Sequence, residues 1–450
     1  MLERVNSEYH EVLAKRPKKY QQDLNYIYQK LDSNEVYYEG EVIPILYQPL
    51  FFNQAIIDQL TELTERLGLI LKKVIEQYLD DPSFRAYFGF SKALEELILV
   101  DPGYSNSVPM ARFDIFYYGN GNPKFCELNA DGSSGMVKTN ILEKYFLKSE
   151  AIQDLVNKYE YEFTHCELLN SWIDNMLTNY NEFYSNDDSS LREEKPNIAI
   201  MDFDNLGMVS EFKHFEKLLN EQGYKTVIVD PRELNYQQGN LYYQDLRIDL
   251  IYRRAVTTEL MERYSEISDL LTAYKEGTVC IVGPLRSQII HNKVIFSILH
   301  DEEKTEFLSE IDREFINKHI PYTAIVTNNQ EQLEYIRKNR RDLVLKPLDF
   351  YGAQGVYIGR DLEQSKWESV INNIDFTKQR YLVQEFCLVP ELEMALLSDQ
   401  QLKIESFKYT LGLFMYNLNF AGIYTRAGKD NVIASSTGCV TLPNLILKNI

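Results

Sequence analysis

From Gln54 to Leu79 the chain reads QAIIDQLTELTERLGLILKKVIEQYL, with apolar positions recurring at three- and four-residue intervals. That period predicts a long amphipathic helix. Most of residues 1 to about 100 share this helical character, and a second helical block runs from about Lys138 to Tyr184. The pattern breaks at SNDDSSLREEKP, Ser185 to Pro196, a polar, charged connector that marks a boundary. Beyond it NIAIMDF (Asn197–Phe203) reads as a strand, SEFKHFEKLLNEQG as a helix and KTVIVD (Lys225–Asp230) as the next strand. This β-α-β run predicts a small parallel sheet, with IDLIYRR (Ile248–Arg254) and TVCIVGP (Thr278–Pro284) as further strands. No GxGxxG follows the first strand, so the usual dinucleotide-binding fold is not supported. The last third is strand-rich: DLVLKP, GVYIG, RYLVQEF, KIESFKY and LGLFMYNLNFAGIYTR. The reading is an α/β chain in three parts: 1–185, 196–285 and 286–450.

Between the helical blocks lies ARFDIFYYGNGNPKFCELNADGSS, Ala111 to Ser134. Asn120-Gly121 predicts a two-residue type I′ turn closing a β-hairpin. In that register Asp114 faces Glu127 and Arg112 faces Asn129. Residues two apart share a face, so all four lie together. Opposed carboxylates repel. A hard cation between them would reverse the sign, and Asp, Glu and Asn oxygens are what Mg²⁺ accepts. Cys126 alternates onto the opposite face in this register.

Other segments carry candidate chemistry. Lys346 ends the apolar strand of LVLKPLDFYGAQGVYIG, followed by a loop with Gly352 and Gly355. A lysine beside a glycine loop can hold nucleotide phosphates, although a strand-end lysine is more often a solvated charge. SQIIHNKVIFSILH predicts a helix with Ser287 as its cap. Lys293 near its start opposes the helix dipole, which invites an anion or, equally, snorkelling to solvent. His291 and His300 read as structural or surface side chains. The strand QRYLVQEF ends in Gln384-Glu385, a polar end that can meet an adenine edge. Arg426, in GIYTRAG, suits planar contact with phosphate or carboxylate. Arg253 and Arg254 are adjacent in a strand, so at most one is expected to reach a site.

Bulk properties narrow the field. A chain of 450 residues, 44% hydrophobic, can bury a large core. A formal charge of −20 argues against nucleic acid or an anionic membrane as main partner. No apolar run approaches the length of a membrane span, and the first twenty residues lack the apolar core of a signal peptide. A cytoplasmic protein is expected. Its five cysteines are widely spaced without CxxC, which predicts free thiols rather than zinc or disulfides.

Taken in order, the segments resemble the ATP-grasp superfamily in its circularly permuted branch, and within it the synthetase domain of the glutathionylspermidine synthases. RFD with ELNAD (112–114, 127–131), HNKVIFSIL (291–299), LVLKPLDFYGAQG, LVQEF and GIYTRAG carry the resemblance over about residues 105–440. The resemblance implies an ATP-dependent carboxylate–amine ligase working through an acyl phosphate. Asp114, Glu127 and Asn129 would hold Mg²⁺. Lys293 and Lys346 would meet ATP phosphates under the loop of Gly352 and Gly355, with Gln384 and Glu385 at the adenine. Arg112 and Arg426 would steady the transferred phosphate. The substrates implied are small-molecule or peptide acids and amines, and self-association is left open. No Cys–His amidase unit is present, and the loop after Asp131 reads Gly-Ser-Ser-Gly, so the resemblance does not name the acid or the amine. The rival reading is a non-catalytic ATP-binding or scaffold protein on the same fold.

Overall fold

The computed structural model describes residues 2–448 apart from 120, 186–193, 205–207, 349–354, 377–378 and 435–436. The Asn120 position of the predicted turn, Gly352 and most of the predicted connector therefore lie outside the described residues.

Helices α1 (Leu2–Lys15) and α2 (Pro17–Ser33) open the chain, and strand β1 (Leu50–Asn53) leads into α3 (Gln54–Asp80). The Asn53 side chain caps α3 by accepting from the Ile56 N–H at 3.0 Å. The predicted stripe is the buried one: Leu60, Leu67, Ile70, Leu71 and Val74 are fully enclosed. The hairpin strands β2 (Met110–Phe116) and β3 (Lys124–Asn129) follow, then α4 (Met136–Phe146) and α5 (Leu168–Ser185).

The middle of the chain builds the parallel sheet its pattern predicts. Strand β4 (Asn197–Met201), helix α6 (Val209–Glu221) and strand β5 (Lys225–Val229) form the β-α-β unit. Strands β6 (Leu250–Arg253) and β7 (Cys280–Val282) extend it in the order β7-β6-β4-β5. IDLIYRR is not one strand: Leu246–Ile248 belongs to a separate antiparallel sheet, and Asp249 turns the chain into β6. SQIIHNKVIFSILH is not one helix either. It forms α7 (Gln288–His291) and α8 (Val294–Leu299), broken where the Asn292 side chain accepts from the Val294 N–H at 2.9 Å. Ser287 is helical in backbone and makes no capping bond, so the expected cap is corrected.

The last third supplies two antiparallel sheets. One is β8 (Thr323–Ile325), β9 (Leu343–Pro347), β10 (Tyr357–Ile358) and β11 (Tyr381–Glu385), in the order β8-β11-β9-β10. The other gathers β12 (Glu391–Ser398), β13 (Gln401–Tyr416), β14 (Asn419–Gly428) and β15 (Val440–Leu442) onto the hairpin, in the order β15-β14-β13-β2-β3 with β12 also on β13. KIESFKY and LGLFMY, two strands by sequence, are one sixteen-residue strand. Strand β16 (Asn444–Leu447) returns to pair in parallel with β1. The hairpin sheet buries Phe113, Ile115, Phe125 and Leu128 in the same apolar core as α3. Its opposite face carries the polar residues.

Candidate functional site

Residues directly opposite in adjacent strands form rows across a sheet. Glu127 on β3 pairs with Asp114 on β2, and Asp114 pairs with Gly412 on β13. Gly412 in turn pairs with Tyr424 on β14. Next to this row Asn129 pairs with Arg112, as the hairpin reading predicts. The Asn129 amide nitrogen stands 3.5 Å from Asp114 Oδ2 and 3.4 Å from Glu127 Oε2, so all three side chains converge on one point.

The ladder between these pairs and the turn differs from the expectation. Ile115 pairs with Phe125 and Phe116 with Lys124, one residue out of step with Asp114–Glu127. Cys126 is the extra residue of a β-bulge. The cause is in the sequence: Phe125 and Leu128 both belong to the core, and a spacing of three cannot be met by strict alternation. The bulge brings Cys126 into the wall of the polar cleft instead of the far face, and burial pushes its thiol up to about 12. All five cysteines are free, as expected.

Two arginines clamp Asp114. Arg112 Nε donates to Oδ1 at 3.0 Å and Arg426 Nη2 to Oδ2 at 2.6 Å. Only 4% of the Asp114 side chain is exposed. Burial alone would raise its carboxyl, but the two guanidiniums outweigh burial and hold it below the usual carboxylate range. Gly412 makes the clamp possible. A Cβ there would stand 2.8 Å from Arg112 Cδ and 2.9 Å from Asp114 Oδ1. Both guanidiniums also face the Tyr424 ring, at 5.4 and 5.5 Å from its centre.

The two lysines reach the same strand from different elements. Lys293, between α7 and α8, stands 3.8 Å from Glu127 Oε1. Lys346 on β9 donates to the Cys126 carbonyl at 3.3 Å and to Gln384 Oε1 at 2.6 Å. Burial depresses the Lys346 ammonium below its ordinary value. Gln384 is 5% exposed and its Nε2 donates to Thr323 Oγ1 at 2.9 Å. Both ends of the Gln384 amide are thus engaged within the protein, one of them on the Lys346 ammonium. The neighbouring Glu385 is exposed.

These side chains line one cavity of about 410 Å³ between the two antiparallel sheets. Arg112, Asp114, Glu127, Asn129, Lys293, Lys346, Gln384, Glu385 and Arg426 all contribute to its wall, together with apolar Val344, Ile358 and Leu382. Gly355, at φ +67°, precedes the wall residue Val356 but does not itself line the cavity. At the α7 side, Gln288 Oε1 and His291 Nδ1 are buried without a hydrogen-bond partner among the described residues, and both residues line the cavity. His291 is therefore part of the site wall, whereas His300 is tied to backbone carbonyls of Ile320 and Pro321.

Behind the metal-type row, Arg253 and Arg254 both reach the loop after Asn129. Arg253 Nη1 binds Asp131 at 2.6 Å, and Arg254 Nη2 meets the Gly132 carbonyl at 3.4 Å and Glu211 at 3.2 Å. Neither arginine lines the cleft, in keeping with the expectation that at most one would reach a site; both meet the loop because Arg254 lies just past the end of β6, where alternation no longer applies. Sequence reading also missed Gly412, Thr323 and Tyr424. A lone glycine inside the apolar run LGLFMY was the available signal for the first. Thr323 and Tyr424 gave none.

Comparison with known proteins finds a likeness to the circularly permuted ATP-grasp family over just under half of the chain. Residues 207–426 match the family described as circularly permuted ATP-grasp type 2. Among solved structures, a glutathione synthetase like-effector from Globodera pallida in apoform is similar, with a TM-score of 0.61 over 94% of this chain and 96% of that one. At 11% identity, that likeness concerns the fold. Two curated proteins are similar in sequence. "Putative glutamate--cysteine ligase 2-2" of Frankia casuarinae is 24% identical over 200 residues, 42% of this chain. "Putative glutamate--cysteine ligase 2-3" of Frankia alni is 26% identical over 181 residues, 38% of this chain. The matches span only 22% and 20% of those relatives' lengths. No described helix is long and apolar enough to cross a membrane.

Proposed function

We propose that this protein is an ATP-dependent carboxylate–amine ligase. The observation that carries the reading is the convergence of Lys293, Lys346, the Arg112–Asp114–Arg426 clamp and the Glu127–Asn129 pair in one cleft. Four cations facing a polyanion-sized cavity suit a triphosphate. In the reaction, a carboxylate oxygen attacks the γ-phosphorus and ADP leaves, giving an acyl phosphate. An amine nitrogen then attacks the acyl carbon, phosphate departs with its oxygen, and the nitrogen loses a proton to give the amide. No protein nucleophile is required.

The donor set fits a hard cation. The Asn129 amide lies between two carboxylates, the point to which positive charge is drawn, and its oxygen is a ligand of the kind Mg²⁺ takes. Glu127, with 37% of its side chain exposed, offers free oxygen surface. Asp114 joins them when its arginines turn to an incoming phosphate. A bound Mg²⁺ would shield the phosphate charge during transfer. Arg112 and Arg426, released from Asp114, neutralise the moving phosphoryl group. Lys346, held by Gln384, meets the chain of phosphates. The apolar residues Val344, Ile358 and Leu382 form the adenine side, next to Glu385. The names of the Frankia relatives point to an amino acid as the acid.

The test is ADP release measured against a panel of acid–amine pairs, with hydroxylamine added to trap acyl phosphate as hydroxamate. Acid-dependent ADP and hydroxamate support the reading. ATP binding with no turnover under any pair overturns it in favour of a non-catalytic ATP-binding protein.

A further inference from the structure

The two orphaned atoms of the cleft wall, Gln288 Oε1 and His291 Nδ1, are both buried and both without a partner among the described residues. Such atoms are costly unless water or a ligand completes them. Gln288 and His291 stand three residues apart in α7, so they share one face of the turn, and both line the cavity. Helix α7 packs against β3, the strand that carries Glu127 and Asn129. The pair therefore borders the metal-type end of the cleft. Val344, Ile358 and Leu382 belong to the other sheet.

The chemistry of the two atoms selects what completes them. An amide oxygen only accepts hydrogen bonds. Burial holds the His291 ring below its ordinary pKa. A neutral imidazole with its proton on Nε2 accepts at Nδ1. Two neighbouring acceptors repel the oxygens of phosphate and carboxylate. Mg²⁺ takes oxygen ligands rather than imidazole. N–H groups complete both atoms. Of the reactants of an ATP-dependent ligase, only the amine and the adenine amino group offer them, and the ligase reading puts adenine against the β9–β11 sheet.

We propose that Gln288 Oε1 and His291 Nδ1 form the amine subsite, each accepting one N–H of a primary amine. The inference rests on the ligase reading and narrows its nucleophile to amines with two hydrogens on nitrogen. With both N–H groups held, the nitrogen lone pair is left free for the acyl carbon. As the C–N bond forms, the C–O bond to phosphate breaks with its electron pair, and the surplus proton leaves on the departing phosphate. A neutral secondary amine has one N–H and leaves one of the two atoms unmet.

The assay is acyl transfer to hydroxylamine and to N-methylhydroxylamine by the full chain with ATP, Mg²⁺ and each acid of the panel. Each rate is divided by that nucleophile's rate with acetyl phosphate in buffer. Wild type is expected to favour hydroxylamine by at least about tenfold after that correction, the scale of one unmet buried acceptor. Gln288→Met and His291→Phe should each shrink that preference and raise the KM for hydroxylamine on the order of tenfold. Hydroxamate formed per ADP released should fall with it, while the KM for ATP stays within twofold. Gln288→Glu keeps an acceptor and should stay near the wild-type KM for hydroxylamine. No preference in wild type overturns the proposal without needing any variant to fold. So do unchanged hydroxylamine KM values in Gln288→Met and His291→Phe, which would leave the two atoms to buried water. An enzyme that releases no acid-dependent ADP with any acid is a separate result: it counts against the ligase reading, and the proposal falls with it.

Discussion

Replacing Asp114 by Asn keeps the shape of the side chain and removes the charge that two guanidiniums share. Both ion pairs are short, 2.6 Å to Arg426 and 3.0 Å to Arg112, and Asp114 is almost sealed from water. At an effective dielectric near 20, a pair at 4 Å is worth roughly 4 kcal/mol before desolvation. Removing one member of a buried pair costs about 3–5 kcal/mol, because the partner's charge is left uncompensated. For a cooperative unit of about 200 residues, 1 kcal/mol moves Tm by about 2–4 °C, so Asp114→Asn should lower Tm by on the order of 10 °C. Thermal unfolding followed by circular dichroism measures this. Arg426→Met alone should also destabilise. The double variant should lose less than the two singles together, by more than the roughly 0.5 kcal/mol scatter of independent sites. The pH arm has a definite sign. A depressed carboxyl stabilises the fold above its ordinary range and loses that contribution as pH falls through its folded value. Wild type and Asp114→Asn should therefore differ fully at pH 7 and converge only below about pH 4. Strict additivity in the cycle, or a Tm unchanged at pH 7, would falsify the clamp as an electrostatic unit.

Three further outcomes are expected. Arg112→Ala should lower kcat by about 10²–10³, in the range for loss of one preorganised donor, with a smaller change in the KM for ATP; full turnover by a merely destabilised variant would show that Arg112 only braces the hairpin. Gly412→Ala should cost turnover more than stability, since its methyl would press on Arg112 Cδ and Asp114 Oδ1; wild-type kinetics would refute the close approach. Asp202, whose carboxyl burial raises to about 6, is ionised at pH 7.5 against that cost. A raised carboxyl stabilises at low pH and loses this as pH climbs through its folded value, so Asp202→Asn should stabilise by about 1–3 kcal/mol at pH 7.5 and by little at pH 4, read from Tm at the two pH values.

Elements with a sustained period were legible in the sequence. Gln54–Leu79 differs from α3 by one residue, and the β-α-β strands from Asn197 to Val229 pair in parallel as their pattern requires. The hairpin pairs Arg112–Asn129 and Asp114–Glu127 were also legible, although the route to them was not. Two departures offset each other: the strands stop at Phe116 and Lys124, short of a two-residue turn, and Cys126 bulges. Burial of Phe125 overrode alternation there. The break at Asn292 was hidden because a side-chain bond to the Val294 N–H restarts the helix with no change in hydrophobic pattern. The bond by which Gln384 holds Lys346 was not legible, because a cross-sheet hydrogen bond leaves no trace in spacing. Tyr424 was invisible for a similar reason: the Arg112 guanidinium that faces its ring comes from a different strand.

Strand β16 has a consequence for synthesis. It sits between β1 and the short strand Phe163–Thr164, and Asn444 bonds both Glu143 and the Ile423 carbonyl. Its partner Leu50 is made almost four hundred residues earlier. At about 5–20 residues per second, the ribosome takes roughly 20–80 s to deliver the closing strand. During that interval Leu50, Phe51 and Phe52 emerge with no strand to pair with, and the edge of β2 that β3 leaves open awaits β13. Nascent chains of this protein therefore display sticky strand edges for most of their time on the ribosome. Overproduction at low temperature, or with a holding chaperone, should raise the soluble yield by covering those edges until Asn444 emerges.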